Sequence, residues 1–516
     1  MLAKFTPIVA AILVVAVATV THGQVDDRYR PKIHFSIAAN WINDPNGMVY
    51  MDGEYHLHYQ YNPADSVWGP MHWGHSVSTD LVTWTDLPIA MFPDHLGQIF
   101  SGSAVVDFNN STGFQQDDVN VPIVAIFTHA GDSQQQSIGY SLDKGRTYAK
   151  FEGNPVIPNP GIPDFRDPKV IQYDDKWILL LAAGNKVMFY SSTDLKTWEY
   201  TSEFGADPEQ GEHSGVWECP DLFPLQFGGE TVWILIVSIN PGGPNGGSAT
   251  QYFVGGFDGV NFNSPQMTPL WMDWGVDNYA AISFFNEPSG RAVNMGWMNN
   301  WDYANGLPTI GWRGQMTLPR VMDLVLVNGQ LRLASNPAPE LRTLFKNETY
   351  QTVPNQVVEA DQVLEIPTGN SSLLHTEFTF DTRTMGIGSS LAICMTNPAG
   401  QEVCTGFDKG RERPFFLNRS DSGFVDFAPN FSRRITATRE RSSTEAIKFE
   451  IYWDVTAVEV FIDGGLTCMT ALFYPDEPYT ILEVRHHGAG NPGGTLVISS
   501  GSIRSLYAMD ELINKK

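Results

Sequence analysis

Cysteine is scarce in this chain, at four in 516 residues, too few for a fold built on disulfides. Cys394 and Cys404 flank Asn397-Pro398-Ala399-Gly400, a hairpin-type turn, and are placed to bridge across it; Cys468 has no evident partner. Basic residues are also few. Lys and Arg total 32 against 57 Asp and Glu, a formal net charge of -25. That balance argues against nucleic acid or an anionic membrane as partner, because phosphate binding needs clustered cations. Beyond the first two dozen residues no apolar run is long enough to cross a bilayer. Helical periodicity is rare, and no phosphate loop, Ser-His-Asp arrangement or zinc motif stands out. No cofactor and no metal is expected.

What is present begins with a leader. Lys4 supplies a positive start, Pro7 to Val20 is apolar, and Thr21-His22-Gly23 suits cleavage, so residues 1–23 read as a secretory signal. A signal anchor is the alternative. The mature chain is expected outside the cell, free of the membrane once the leader is removed. Acceptor patterns for N-linked sugars start at Asn109, Asn110, Asn347, Asn370, Asn418 and Asn430.

Aromatic residues make up 12% of the chain, which rules out a disordered polymer. Short β-branched segments such as Val121–Phe127, Trp177–Leu181 and Val232–Ile239 recur between Gly, Asn, Asp and Pro, the pattern of an all-β protein. There is an internal echo. Ser78-Thr79-Asp80-Leu81-Val82-Thr83-Trp84 returns as Ser192-Thr193-Asp194-Leu195-Lys196-Thr197-Trp198, with looser copies at 141–148 and 256–262. The spacing is near that of one propeller blade, and four copies imply four or five blades. After Arg320 the echo stops. Residues 24–335 are therefore expected to form a β-propeller catalytic domain, 336–349 a linker with a short helical piece, and 350–516 a β-sandwich, with Ile451–Gly464 as a buried hairpin.

Three acids stand beside prolines. In Trp41-Ile42-Asn43-Asp44-Pro45-Asn46-Gly47 the proline favours extended geometry at Asp44, and Asn46-Gly47 suits a tight turn. Arg166-Asp167-Pro168 again places a carboxylate before proline, and Trp217-Glu218-Cys219-Pro220 places one two residues before it. Carboxylates on stiff strand ends suit a site that needs acids at fixed separations. His56 and His58 alternate on one strand, but no nearby acid or cysteine completes a ligand set, so packed histidines are expected; His72 and His75 are expected as hydrogen-bonders near the pocket rim.

With these motifs the chain resembles the family 32 glycoside hydrolases, the invertases, exo-inulinases, levanases and related β-fructofuranosidases. The carriers, in the family's order, are Asn43–Gly47, Gln60-Tyr61-Asn62-Pro63, Trp73-Gly74-His75, Phe100-Ser101-Gly102-Ser103, Arg166–Pro168 and Glu218–Pro220. The resemblance implies a five-bladed propeller followed by a β-sandwich. It makes Asp44 the nucleophile, Glu218 the general acid/base and Asp167 the residue holding sugar hydroxyls and stabilising the transition state. Asn43, Gln60, Trp68, Ser101, Arg166 and Trp312 become the pocket for the terminal fructosyl unit. Ile42 stands where the family most often has Met, a swap that keeps volume and polarity.

Cleavage of a fructoside passes through an oxocarbenium-like state, and retention places the two carboxyl groups about 5–5.5 Å apart. Asp44 must stay ionised, and Glu218 is expected to have a raised pKa from an apolar surround that includes Trp217 and from nearby negative charge. The expected activity is a retaining exo-β-fructofuranosidase acting on sucrose or fructans. The alternatives are a fructosyltransferase sharing the intermediate, a non-catalytic fructan-binding protein, and a hydrolase of arabinose-containing polymers. A homodimer formed through the sandwich edge is compatible with this reading.

Overall fold

The computed structural model describes residues 25–117, 119–442, 445–488, 490 and 494–515; the expected leader lies outside them. Residues 40–337 form five antiparallel sheets of about four strands each, the blades of a propeller. Their first strands are β1 (Asn40–Met51), β2 (Gln98–Val106), β3 (Phe165–Tyr173), β4 (Val216–Phe227) and β5 (Tyr279–Ser283). Each next strand pairs antiparallel with the one before it, so blades are meanders joined by loops.

The Asp-centred echoes are one device used four times. Each is the turn between the third and fourth strands of a blade. Asp80 Oδ1 accepts the Val82 and Thr83 N–H groups at 2.9 and 2.7 Å. Asp194 Oδ1 accepts those of Lys196 and Thr197 at 2.8 and 2.7 Å, and Asp258 Oδ1 those of Val260 and Asn261 at 2.9 and 2.6 Å. A carboxylate that satisfies two loop donors fixes the turn without ladder pairing. The fifth blade ends instead in the two-residue hairpin Asn328-Gly329, both at positive φ, which is why the echo disappears from the sequence.

Ring closure uses a long excursion between the second and third strands of the fifth blade, which returns Trp312–Arg313 alongside Asn40 and Trp41 as a short parallel pair. The expected turn at Asn46-Gly47 is not a turn. Both residues lie inside β1, whose pairing shifts between Ile42 and Pro45 and again between Asn46 and Val49. Bulges absorb the irregular residues while the strand runs on.

Residues 351–505 form two facing sheets of seven and six strands. Their common core holds Phe378, Leu391, Phe415, Phe449, Trp453, Leu482 and Ile498. Cys394 and Cys404 face each other across adjacent strands and are disulfide-bonded. The expected hairpin comprises Ile447–Trp453 and Ala457–Ile462. The connection carries a 3-10 turn, Pro339–Leu344, whose Leu341 and Leu344 are buried. Among the described residues no helix is long and apolar enough to cross a membrane.

His56 and His58 pack inside the first blade with His75, the His58 and His75 rings stacked at 4.0 Å between centroids. Burial pushes His56 down to about 4 and His58 to about 3, so both are neutral near pH 7. His75 belongs to this stack and not to a pocket rim.

Candidate active site

The first strands of all five blades bulge at one level. Pairing is lost at Asn43-Asp44 in β1, Phe100-Ser101 in β2, Asp167-Pro168 in β3, Cys219-Pro220 in β4 and Ala280-Ala281 in β5. Asp167, Cys219 and Ala280 are held at φ +65°, +45° and +53°, each costing of order 1 kcal/mol for a residue with a Cβ. The gain is aim: a bulge turns a side chain out of the pleat.

Of the residues at these bulges, Asn43, Asp44, Phe100, Ser101 and Asp167 meet in one cavity of about 380 Å³, which the regularly paired Gln60, Arg166 and Glu218 and the rings of Trp68 and Trp301 complete. Below it, Pro45, Pro168, Pro220 and Ile282 come together around a void of only about 10 Å³. The prolines that follow the acids thus help to plug the axis, and the cavity is blind at that end.

Within it the three acids sit in different surroundings. Asp44 accepts hydrogen bonds from Ser101 Oγ at 2.6 Å and Asn43 Nδ2 at 3.0 Å, and Trp41 Nε1 donates to Asn43 Oδ1 at 2.7 Å, which fixes the amide's orientation. Glu218 Oε1 accepts both Nε and Nη2 of Arg166, at 3.0 and 2.9 Å, and Tyr279 donates its hydroxyl to Oε2. Asp167 is buried, and its Oδ2 accepts the Cys219 N–H at 2.9 Å. Burial first, then the charges of Glu218 and Asp44, push its carboxyl up to about 7 against the opposing pull of Arg166. The Cys219 sulfur lies 3.6 Å from Asp44 Oδ2 and 3.5 Å from Asp167 Oδ2, between the two carboxylates. Burial and these charges hold its thiol well above the usual range, so it is a neutral filler and not a nucleophile.

Two expectations need correction. Trp312 does not line the cavity. Its ring is buried with Tyr29, Met298, Tyr303 and Leu307, its Nε1 donates to the Asp26 carbonyl at 3.0 Å, and the Arg30 guanidinium lies 4.5 Å over it. The returning strand that closes the propeller points Trp312 away from the axis. Trp217 does not wrap Glu218 either. It stacks on His213 at 4.7 Å inside the fourth blade, and the neighbours of Glu218 are polar. Trp73 is likewise core, its Nε1 bonded to the Phe100 carbonyl at 2.9 Å.

Sequence reasoning missed Tyr279, Gln134, Asp164 and Asn305. Gln134 Oε1 and Asp164 Oδ1 both accept Arg166 Nη1, at 3.2 and 2.6 Å, so the guanidinium that holds Glu218 is itself held from behind. Asn305 Oδ1 accepts the Trp68 N–H at 2.9 Å and seats that exposed ring at the mouth. Asp164 lies two residues before Arg166 and was findable as part of that motif. Tyr279 had no acid-proline signal, but it marks the matching bulge of the fifth blade.

Two carboxylates in distinct settings, one bonded only to neutral donors and one held by a cation and a phenol, can act as nucleophile and proton donor in this pocket. The glycosyl hydrolases family 32 N-terminal domain matches residues 34–337, and the family's C-terminal domain matches residues 340–504. A levanase of Bacillus subtilis is 44% identical over 475 residues, covering 89% of this chain and 68% of that protein. The extracellular exo-inulinase inuE of Aspergillus niger is 37% identical over 514 residues, covering 90% and 93%. The crystal structure of exo-inulinase from Aspergillus awamori superposes with a TM-score of 0.85 at 32% identity, covering 94% of this chain and all of that one.

Proposed function

The chain belongs to glycosyl hydrolase family 32, and on that premise we propose that its blind pocket removes terminal β-D-fructofuranosyl units from sucrose and fructans with retention of configuration. Asp44 attacks the anomeric carbon while Glu218 gives its proton to the departing oxygen, leaving a fructosyl ester on Asp44. Glu218, now a base, takes a proton from water, which displaces the ester and frees fructose. Asp167 holds sugar hydroxyls, with Asn43, Gln60 and Ser101 beside it and Trp68 at the mouth. Arg166 keeps Glu218 in place. No metal or cofactor takes part in this reading.

The observation that carries it is the meeting of Asp44, Asp167 and Glu218 in one cavity closed at the axis. A blind end admits a chain terminus and not a chain interior, which supports exo-action. Secretion fits the leader-like first residues and relatives named as extracellular exo-inulinases.

The test is product analysis over time. Hydrolysis of sucrose to glucose and fructose, with fructose as the sole early product from a fructan, is the expected result. Early release of fructan oligomers, or of trisaccharides from sucrose alone in place of free fructose, contradicts it.

A further inference from the structure

One wall of the catalytic cavity comes from the excursion of the fifth blade, which contributes Trp301 and Asn305. From Met298 to Pro308 the chain is loop apart from the 3-10 turn Ala304–Gly306, so strand pairing does not fix its path. A wall that meets substrate needs fixing, because a displacement of about 1 Å can cost a large part of the rate.

What holds this segment reaches it from the second domain. Tyr303, buried and placed between Trp301 and Asn305 in the chain, donates its hydroxyl to Asp277 Oδ1 and accepts Arg419 Nη2 at 2.9 Å. Arg419 follows the sandwich strand Phe415–Asn418 directly. Its Nη1 donates to Asp277 Oδ2 at 2.6 Å and to the Leu472 carbonyl at 3.0 Å, and its Nε to the Phe431 carbonyl at 2.8 Å. The guanidinium carbon also lies 3.8 Å from the centre of the Phe431 ring. Guanidinium, carboxylate and phenol are all buried, so none exchanges its partner for water without cost. Asp302 adds a second tie to the same domain, its Oδ2 lying 3.3 Å from Asn430 Nδ2 and 3.6 Å from Arg433 Nη2.

An ion pair that served only to join the domains could be anchored anywhere on the propeller. Here both acceptors stand next to the chemistry. Asp277 is two residues from Tyr279, which bonds Glu218, and Tyr303 is two residues from each of Trp301 and Asn305 in the cavity wall. We propose that Arg419 is a positioning residue for the catalytic cavity: through the Tyr303 hydroxyl it holds the wall of Trp301 and Asn305 against the bound sugar. The β-sandwich is thereby a working part of the active site within its own chain. The proposal rests on the catalytic reading given above and assigns the second domain a share in it.

The test separates KM from kcat. Arg419→Lys keeps the charge but loses the planar fork that spans Asp277 and Tyr303. Tyr303→Phe removes the hydroxyl and keeps the pair of Arg419 with Asp277. Both are assayed on sucrose and on an inulin-type trisaccharide, at a temperature where circular dichroism shows each protein folded. A looser wall binds sugar more weakly, so both variants are expected to raise KM roughly fivefold, with kcat within about a factor of two of the wild type. A role in joining the domains alone would shrink the folded fraction, lowering apparent kcat and Tm while leaving KM where it was. Wild-type KM in either variant, once folded, overturns the proposal; where Arg419→Lys does not fold, Tyr303→Phe decides alone. Failure of the wild type to cleave either sugar overturns the catalytic reading and this proposal with it.

Discussion

Arg166 and Tyr279 both bond Glu218, and the phenol is the residue whose role is least evident from sequence. Its hydroxyl is fully buried, and burial with the charge of Glu218 holds it well above the usual tyrosine range, so it remains a donor at any working pH. Donation to Oε2 fixes the direction in which the Glu218 carboxyl faces the leaving oxygen. Tyr279→Phe is expected to lower kcat about tenfold with little change in KM, because the proton donor loses a positioning bond. A kcat equal to that of the wild type would show that Tyr279 only fills space. The acids themselves were legible from sequence because each sits in a motif with specific flanks. Trp312 was misplaced because side-chain direction on a short returning strand leaves no trace in residue type.

Across the inner strands the irregularities carry the chemistry, and alternation patterns cannot reveal them. A proline after an acid reads equally as a turn or as a bulge, and the choice depends on whether a neighbouring strand continues past it. Gly102 illustrates the constraint. A Cβ there would lie 2.1 Å from the Ile126 carbonyl oxygen of the paired strand, and its own N–H donates to Asn46 Oδ1 at 3.0 Å, tying β2 to β1 beside Ser101 and Asp44. Because that carbonyl is backbone, Gly102→Ala must displace the bulge. The expected consequence is a loss of about a hundredfold in kcat/KM, from misplacing Ser101 against Asp44. Wild-type rates in a folded Gly102→Ala protein would mean that the bulge does not set the geometry. The four Asp-centred turns, by contrast, were readable as a repeat because each depends on a local carboxylate-to-backbone bond.

At the scale of the molecule, blades and sandwich were legible as a change in repeat pattern, but the contact between them was not, since it joins residues far apart in the chain. Beside apolar packing such as that of Ile33, Val82 and Leu318 on Tyr452 and Phe461, that contact holds a buried ionic cluster. His34 Nδ1 lies 2.8 Å from Asp454 and its Nε2 3.2 Å from Glu459, while Arg320 bridges Glu459 at 2.6 Å and Asp273 at 2.9 Å. Burial alone would depress His34, but hydrogen bonds to the two carboxylates outweigh it and raise it from 6.5 to about 9. The His34 bond holds Asp454 below its usual value despite burial, and the charge of Arg320, followed by the His34 bond, does the same for Glu459. A histidine raised on folding stabilises fully below pH 6.5 and loses that contribution as pH rises through about 9. The depressed carboxylates lose theirs as pH falls through their own lowered values. His34→Gln is therefore expected to cost about 3–5 kcal/mol near pH 6 by leaving buried carboxylates short of a partner. It should also flatten the fall in Tm between pH 6.5 and 9. Parallel Tm curves for variant and wild type, by scanning calorimetry, would contradict this.

The division of labour between Asp44 and Glu218 is open to a direct chemical test. In Glu218→Ala, a fructosyl donor whose leaving group needs no proton should still react, while hydrolysis of the ester stalls for want of a base. Rapid quenching and mass spectrometry of the digested protein should then find one fructosyl residue on the peptide carrying Asp44. A fructosyl group on Asp167 instead, or turnover of this donor with no adduct at any time, would contradict the account.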